Sequence, residues 1–117
     1  MWVVARIKKN EINIFKKELN EKFKNEIKFY YPKIQEDKYE KNKLKKIEKL
    51  VLENYVFCYH RKFEDLKNIS EVKFVKGLEY FLNGYLQNQE QVIKFINFCK
   101  KSENKDGYLI GGIPIRS

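Results

Sequence analysis

Leu50-Val51-Leu52-Glu53-Asn54-Tyr55-Val56-Phe57-Cys58-Tyr59-His60 is the strongest strand signal in this chain. Successive strand side chains point to opposite faces, so Tyr55, Phe57 and Tyr59 share one face while Val56, Cys58 and His60 share the other. Two apolar faces allow two readings of the aromatic one. It is either a sheet face covered by helices or an aromatic patch offered to a partner.

Upstream, residues 37–49 are very polar, with Lys38, Lys41, Lys43, Lys45, Lys46 and Lys49 among Asp37, Glu40 and Glu48. They read as a loop or hairpin tip that projects into solvent. Residues 27–36 read as a second strand, and Pro32, which lacks a ladder donor, is expected at an edge or bulge. Ile12, Phe15, Leu19 and Phe23 recur every three or four residues and predict a helix over about residues 11–25, capped by Asn10. Its other side is lysine-rich. Residues 2–7 alternate Val3, Ala5 and Ile7 with Trp2, Val4 and Arg6, and predict a further strand.

Downstream, Phe63, Leu66 and Ile69 imply one or two helical turns within residues 61–70. Val72-Lys73-Phe74-Val75 reads as a short strand closed by Gly77, and residues 78–87 read as irregular around the Asn83-Gly84 turn. Asn88 with Gln91 suggests a capped helix whose buried stripe is Val92, Phe95, Ile96 and Cys99. The segment after residue 101 is polar to Asp106 and then apolar, able to add a strand or dock on the sheet. The order β-α-β-β-(short α)-β-α places the chain in the α+β class, with an antiparallel sheet of about four strands flanked by helices.

Composition bounds the rest. At 117 residues, with 43% hydrophobic residues, 5 Gly and 2 Pro, the chain is one domain with enough apolar matter for a core. No apolar run approaches the ~20 residues of a spanning helix, and the first residues lack the charged region and cleavage site of a signal peptide. Two cysteines make no disulfide framework, and a soluble protein of a reducing cytoplasm is expected. The formal net charge of +9 favours polyanionic partners. AT-rich coding DNA would also enrich Lys, Ile and Asn over Arg and Ala, so charge does not choose among them.

Chemistry is sparse. The single histidine, His60, has no catalytic partner in sequence and reads as packed or surface, while Cys99 reads as a small core residue. No zinc-ligand spacing and no phosphate-cradling glycine loop occurs. The carboxylates lie in lysine-rich stretches that would not raise their pKa for acid–base work. No catalytic residue, metal or cofactor is expected, and an enzyme is the least supported reading.

Three motifs in order resemble one family. They are Met1-Trp2-Val3-Val4-Ala5-Arg6, Leu52-Glu53-Asn54-Tyr55-Val56-Phe57, and Ile69-Ser70-Glu71-Val72-Lys73-Phe74-Val75-Lys76-Gly77. Together with a closing helix opened by Asn88, they are similar to the N-terminal domain of NusG-type transcription elongation and antitermination factors, RfaH-like members included. The resemblance covers roughly residues 1–103 and leaves 104–117 as a tail, without the KOW domain usual in the family. Glu53-Asn54 stands where the family has Pro-Gly, and Ser70-Glu71 replaces its second Pro-Gly.

The resemblance implies a polymerase-binding module. It would grip the clamp helices of the largest RNA polymerase subunit through Tyr55 and Phe57, then Trp2, Val4 and Arg6, with Phe74 a further contact. The loop carrying Lys38, Lys41, Lys43, Lys45 and Lys46 would lie near the DNA fork of the elongation complex. Such a protein would be a cytoplasmic monomer when free, with no membrane partner. The alternative is a free-standing single-stranded nucleic-acid-binding module, its aromatics stacking on bases and its lysines tracking phosphates.

Overall fold

The computed structural model describes residues 1–84 and 87–110. Its fold is α+β. The elements are β1 (Trp2–Ile7), α1 (Ile12–Lys22), β2 (Lys28–Tyr30), β3 (Lys33–Glu40), β4 (Lys43–Leu50), β5 (Tyr55–Tyr59), a 3-10 turn (Arg61–Glu64), α2 (Leu66–Glu71), β6 (Leu78–Phe81) and α3 (Gln89–Lys101). Four strands form an antiparallel sheet in the order β2-β5-β1-β6, and β3 with β4 forms a separate two-stranded ribbon.

The centre is the β1–β5 pair, in register from Trp2 opposite Tyr59 to Arg6 opposite Tyr55. Alternation sends Val3, Ala5 and Ile7 of β1 with Val56 and Cys58 of β5 into one core. That core is closed by Phe15, Leu19 and Phe23 from α1 and its C-cap, and by Phe63, Ile69, Val72 and Val75 from the segment after β5. The opposite sheet face is crossed by α3, which buries Ile96 and Cys99 against it. The apolar stripes read from spacing in α1 and α3 are therefore the faces that meet the sheet.

Several boundaries differ from the sequence expectation, each for a local reason. Asn10 does not cap α1: it takes a left-handed φ of 64° and Glu11 holds the cap position without a side-chain bond. α1 stops at Lys22 because Lys24 and Asn25 are both left-handed, at φ 52° and 63°. The strand expected over 27–36 is split, since Pro32 cannot donate to a ladder and is fully buried between β2 and β3. Asn88 does not cap α3 with its side chain, which donates to the Gly84 carbonyl at 2.8 Å.

The polar stretch 37–49 is mostly strand rather than loop. Lys41 and Asn42, at φ 52° and 62°, make the two-residue left-handed turn that matches strand twist. Ion pairs then lace the ribbon: Lys33 to Glu48 at 3.0 Å, Lys45 to Glu40 at 3.6 Å and Lys49 to Glu36 at 3.8 Å. At about 3.4 Å per residue, eight-residue strands reach about 27 Å. Every residue from 37 to 49 is exposed, and the molecule measures 51 Å along its longest axis against 29 and 24 Å across.

Residues 72–75 are not a strand. Val72 caps α2 and Val75 tucks into the core from a turn, so the apolar signal there is core burial without a ladder. The strand is β6, inside the stretch expected to be irregular. Glu103 and Leu109 form a bridge, and the Leu109 N–H donates to the Lys33 carbonyl at 2.9 Å. The tail therefore docks at the root of the ribbon as far as residue 110; Gly111-Gly112-Ile113-Pro114-Ile115 lie outside the described residues.

Gly77 releases the chain from that turn into β6 with φ +84°, and a Cβ there would stand 2.7 Å from the Glu11 carbonyl oxygen. Gly77→Ala is expected to lower stability by about 1–3 kcal/mol, read as a fall in the urea midpoint. Loss of less than a few tenths would contradict the close approach.

Candidate functional site

The second face of the sheet carries three rows of side chains. In the first row Arg6 stands between Tyr55 of β5 and Tyr80 of β6. Arg6 Nη1 donates to the Tyr55 hydroxyl at 2.7 Å, its guanidinium lies 5.2 Å from that ring's centroid, and Nε pairs with Glu79 at 2.9 Å. The Tyr55 hydroxyl and then the Glu79 carboxylate raise the Arg6 pKa further, so the cation is fixed and held in place. Tyr80 is 49% exposed and Tyr55 half-buried. This end of the face is solvent-facing, aromatic and cationic.

The second row is Tyr30, Phe57 and Val4. Phe57 is only 6% exposed, with the rings of Phe95 and Tyr30 at 5.8 and 6.5 Å. α3 is held here at both ends. Tyr30 donates its hydroxyl hydrogen to Glu103, and burial followed by that carboxylate raises the Tyr30 pKa. At the other end, Gln89 grips the free edge of β1. The Trp2 N–H donates to Gln89 Oε1 at 2.9 Å, and Gln89 Nε2 donates to the Trp2 carbonyl at 2.5 Å. β6 has ended by this point, and among the described residues the last backbone bond on that side is Leu82 N–H to the Val4 carbonyl at 2.9 Å. The carboxamide thus supplies the donor and acceptor that a further strand residue would.

The third row is Lys28, Tyr59 and Trp2. The two rings meet at 5.3 Å, with Lys28 Nζ 5.9 Å from the Tyr59 centroid and Lys100 Nζ 5.4 Å from that of Tyr30. A shallow depression lined by Trp2, Lys28, Tyr59 and Lys100 opens here.

The residues expected from sequence thus come together in part. Trp2, Val4, Arg6, Tyr55 and Phe57 share one face, but Phe57 is buried beneath α3 whereas Trp2, Val4, Arg6 and Tyr55 are half-buried. Phe74 stands apart on the turn between α2 and β6, 85% exposed. The spacing in the sequence did not reveal Tyr80 or the Gln89 clamp. Leu78 and Phe81 face the core while Glu79 and Tyr80 are exposed, because the β1–β6 pairing shifts register between Arg6 and Ile7, which a period of two does not report.

The ribbon sorts its lysines. Lys38 lies directly opposite Lys45, and Lys43 opposite Glu40, on one face. Lys46 is on the other, opposite Asp37, where Tyr39 faces Leu44. Lys41 sits in the turn. Like charges directly opposite are destabilising, and the Glu40 carboxylate 3.6 Å from Lys45 offsets part of that repulsion. Tyr39 and Leu44, 77% and 55% exposed, bury little against each other.

His60 is packed. It is 3% exposed, its ring lies 4.5 Å from that of Phe23, and Nδ1 accepts from the Lys62 N–H at 3.0 Å to cap the 3-10 turn. Cys58 and Cys99 are buried, and burial pushes both thiol pKa values up, away from the thiolate form. Among the described residues, no group of three or more His, Cys, Asp or Glu side chains could hold a metal ion, and no helix is long and apolar enough to cross a membrane. No family model matches the chain. No curated protein matches it either.

Burial lowers the His60 pKa. The exposed Glu26 carboxylate 3.8 Å from Nε2 opposes this, and Lys62, Arg61 and the N-terminus reinforce it. The folded state then binds fewer protons than the unfolded one below the unfolded histidine pKa. Stability is expected to be complete above about pH 6.5 and to fall as pH drops below it. His60→Asn keeps a capping acceptor without the titration, so comparing urea midpoints at about pH 7.5 and about pH 5.5 should show a smaller drop for the variant. Equal drops would contradict the assignment.

Proposed function

We propose that this protein is a NusG-like regulator that binds RNA polymerase through the Arg6–Tyr55–Tyr80 end of its second sheet face and contacts nearby DNA through the lysines of the β3–β4 ribbon. The observation that carries the reading is one solvent-facing row of two tyrosines around a fixed arginine, on the same molecule as an exposed basic ribbon. Tyr and Arg are enriched among residues that dominate protein interfaces. The three sequence motifs that resemble the NusG N-terminal domain run through β1, β5 and the α2–β6 connection, and the first two carry Arg6 and Tyr55.

The mechanism under this reading is population shift. A module that binds the closed, elongating clamp better than the open one stabilises it by the difference in affinity, and pausing falls. Clamp helices would be met by the rigid Arg6–Tyr55 pair, whose geometry is set before binding, so little ordering cost falls on association. Phe57, beneath Phe95, supports the row from behind.

The second reading is a single-stranded nucleic-acid-binding module. It is favoured by Tyr39 standing exposed among lysines on the ribbon, since base stacking on such a ring is sequence-tolerant.

Binding to bacterial RNA polymerase, with and without a nucleic-acid scaffold, separates the two. Tyr55→Ala is expected to weaken binding to polymerase alone by about 10-fold or more, as for an interface anchor. Lys38→Gln/Lys43→Gln/Lys45→Gln should leave that binding intact while flattening the salt dependence on the scaffold by about 2 to 3 in log–log slope. Binding to naked single strands but not to polymerase would overturn the first reading and establish the second.

A further inference from the structure

β6 is an edge of the four-stranded sheet: β1 lies on one side, and no strand lies on the other among the described residues. Alternate residues of an edge strand turn their N–H and C=O groups outward, a template for another strand. Beside this edge runs an open groove of about 790 Å³, between β6, α2 and the turn that joins them. Ile69 and Val75 line it from the core side, at 8% and 5% exposure. Leu66, Phe74 and Tyr80, which also line it, are 60%, 85% and 49% exposed.

Its charge is one-sided. Lys8, Lys73 and Lys76 line the groove, and none of them enters an ion pair described for this structure; Lys73 lies over the Phe74 ring at 5.2 Å. Glu79 is the one carboxylate among the lining residues, and it is held by Arg6 at 2.9 Å. Lysines beside an edge strand also serve to repel unwanted pairing. That role does not account for Phe74 and Leu66, because apolar side chains left in water beside an open edge invite pairing.

We infer that the β6 edge and this groove form a docking site for an extended segment of a partner protein, one that carries both apolar and acidic side chains and adds as a strand along β6. The edge supplies main-chain hydrogen bonds, as in known strand-addition complexes. Side chains of the incoming strand on the α2 side of the sheet would lie against Phe74 and Leu66, and those on the opposite side beside Tyr80. Carboxylates of the incoming strand would meet Lys73 and Lys76, which flank Phe74, and Lys8. A nucleic acid would satisfy the lysines but neither the aliphatic lining nor the strand edge, so a peptide is the better fit. The inference does not depend on polymerase binding: Tyr80 belongs both to the groove and to the Tyr55 row, but Phe74, Leu66, Lys73 and Lys76 lie outside that row.

The test uses the whole chain. A phage-displayed library of random 12-residue peptides is panned against it, and the most enriched peptide is synthesised. The expected peptide combines apolar residues with Asp or Glu. On binding it should slow hydrogen exchange of β6 amides without slowing those of the β3–β4 ribbon. Phe74→Ser, at a site 85% exposed and so safe for the fold, should weaken binding by about 10-fold or more. Lys73→Glu/Lys76→Glu should do the same. N-methylation of alternate peptide residues should abolish binding in one phase and spare it in the other. The inference is overturned by enriched peptides without acidic residues, by binding insensitive to Phe74→Ser and N-methylation, by the absence of any enriched peptide, or by displacement of the peptide by an oligonucleotide. It is also overturned if sedimentation shows the free chain to dimerise and Phe74→Ser abolishes the dimer, since a second copy is then the occupant.

Discussion

The antiparallel pairing of β1 with β5 is the constraint on which the rest depends. Its register, from Trp2 opposite Tyr59 to Arg6 opposite Tyr55, divides each strand between two chemistries. A one-residue slip of β1 would send Trp2, Val4 and Arg6 into the core and Val3, Ala5 and Ile7 to the other face. The small and branched residues of the first face accept α1 and α2. The aromatic residues of the second face accept α3 over Phe57 and leave Tyr55 and Arg6 in water. Core and candidate interface are therefore two consequences of one ladder.

Much of this was legible in the chain because period-2 and period-3.6 patterns report burial directly. Val3, Ala5 and Ile7, then Phe15, Leu19 and Phe23, then Ile96 and Cys99, stand where their spacing puts them. The failures share a cause. Val72 and Val75 have the β-branched character of a strand but are buried from a turn, and burial alone does not make a ladder. Conversely, residues 37–49 lack an apolar alternation because neither face of the ribbon is buried. They form strands through a left-handed Lys41-Asn42 turn and cross-strand ion pairs, neither of which an apolar period can report. The covering of Phe57 was outside reach for a different reason: Phe95 is distant in sequence, and its meeting with Phe57 follows from where Gln89 and Glu103 pin the ends of α3.

The candidate surfaces lie on parts of the molecule with different demands. The Arg6–Tyr55–Tyr80 row sits on the most tightly constrained strands, and its arginine is fixed by a tyrosine and a carboxylate. The ribbon carries its charges on exposed strands bonded to the body, among the described residues, at their root through Lys33, Pro32 and Leu109. Pre-organisation suits recognition of a defined protein surface, whereas screened, extended charge suits attraction to a polyanion. Such a division would let one small domain hold a machine and feel the nucleic acid passing through it.

The claim that the β1–β5 row faces a polymerase is tested most directly by proximity. A chain carrying a photoreactive benzophenone amino acid in place of Tyr55 would be added to a bacterial elongation complex and irradiated. The account predicts a cross-link to the largest polymerase subunit. Cross-links to nucleic acid alone, or none to any polymerase subunit, would contradict it.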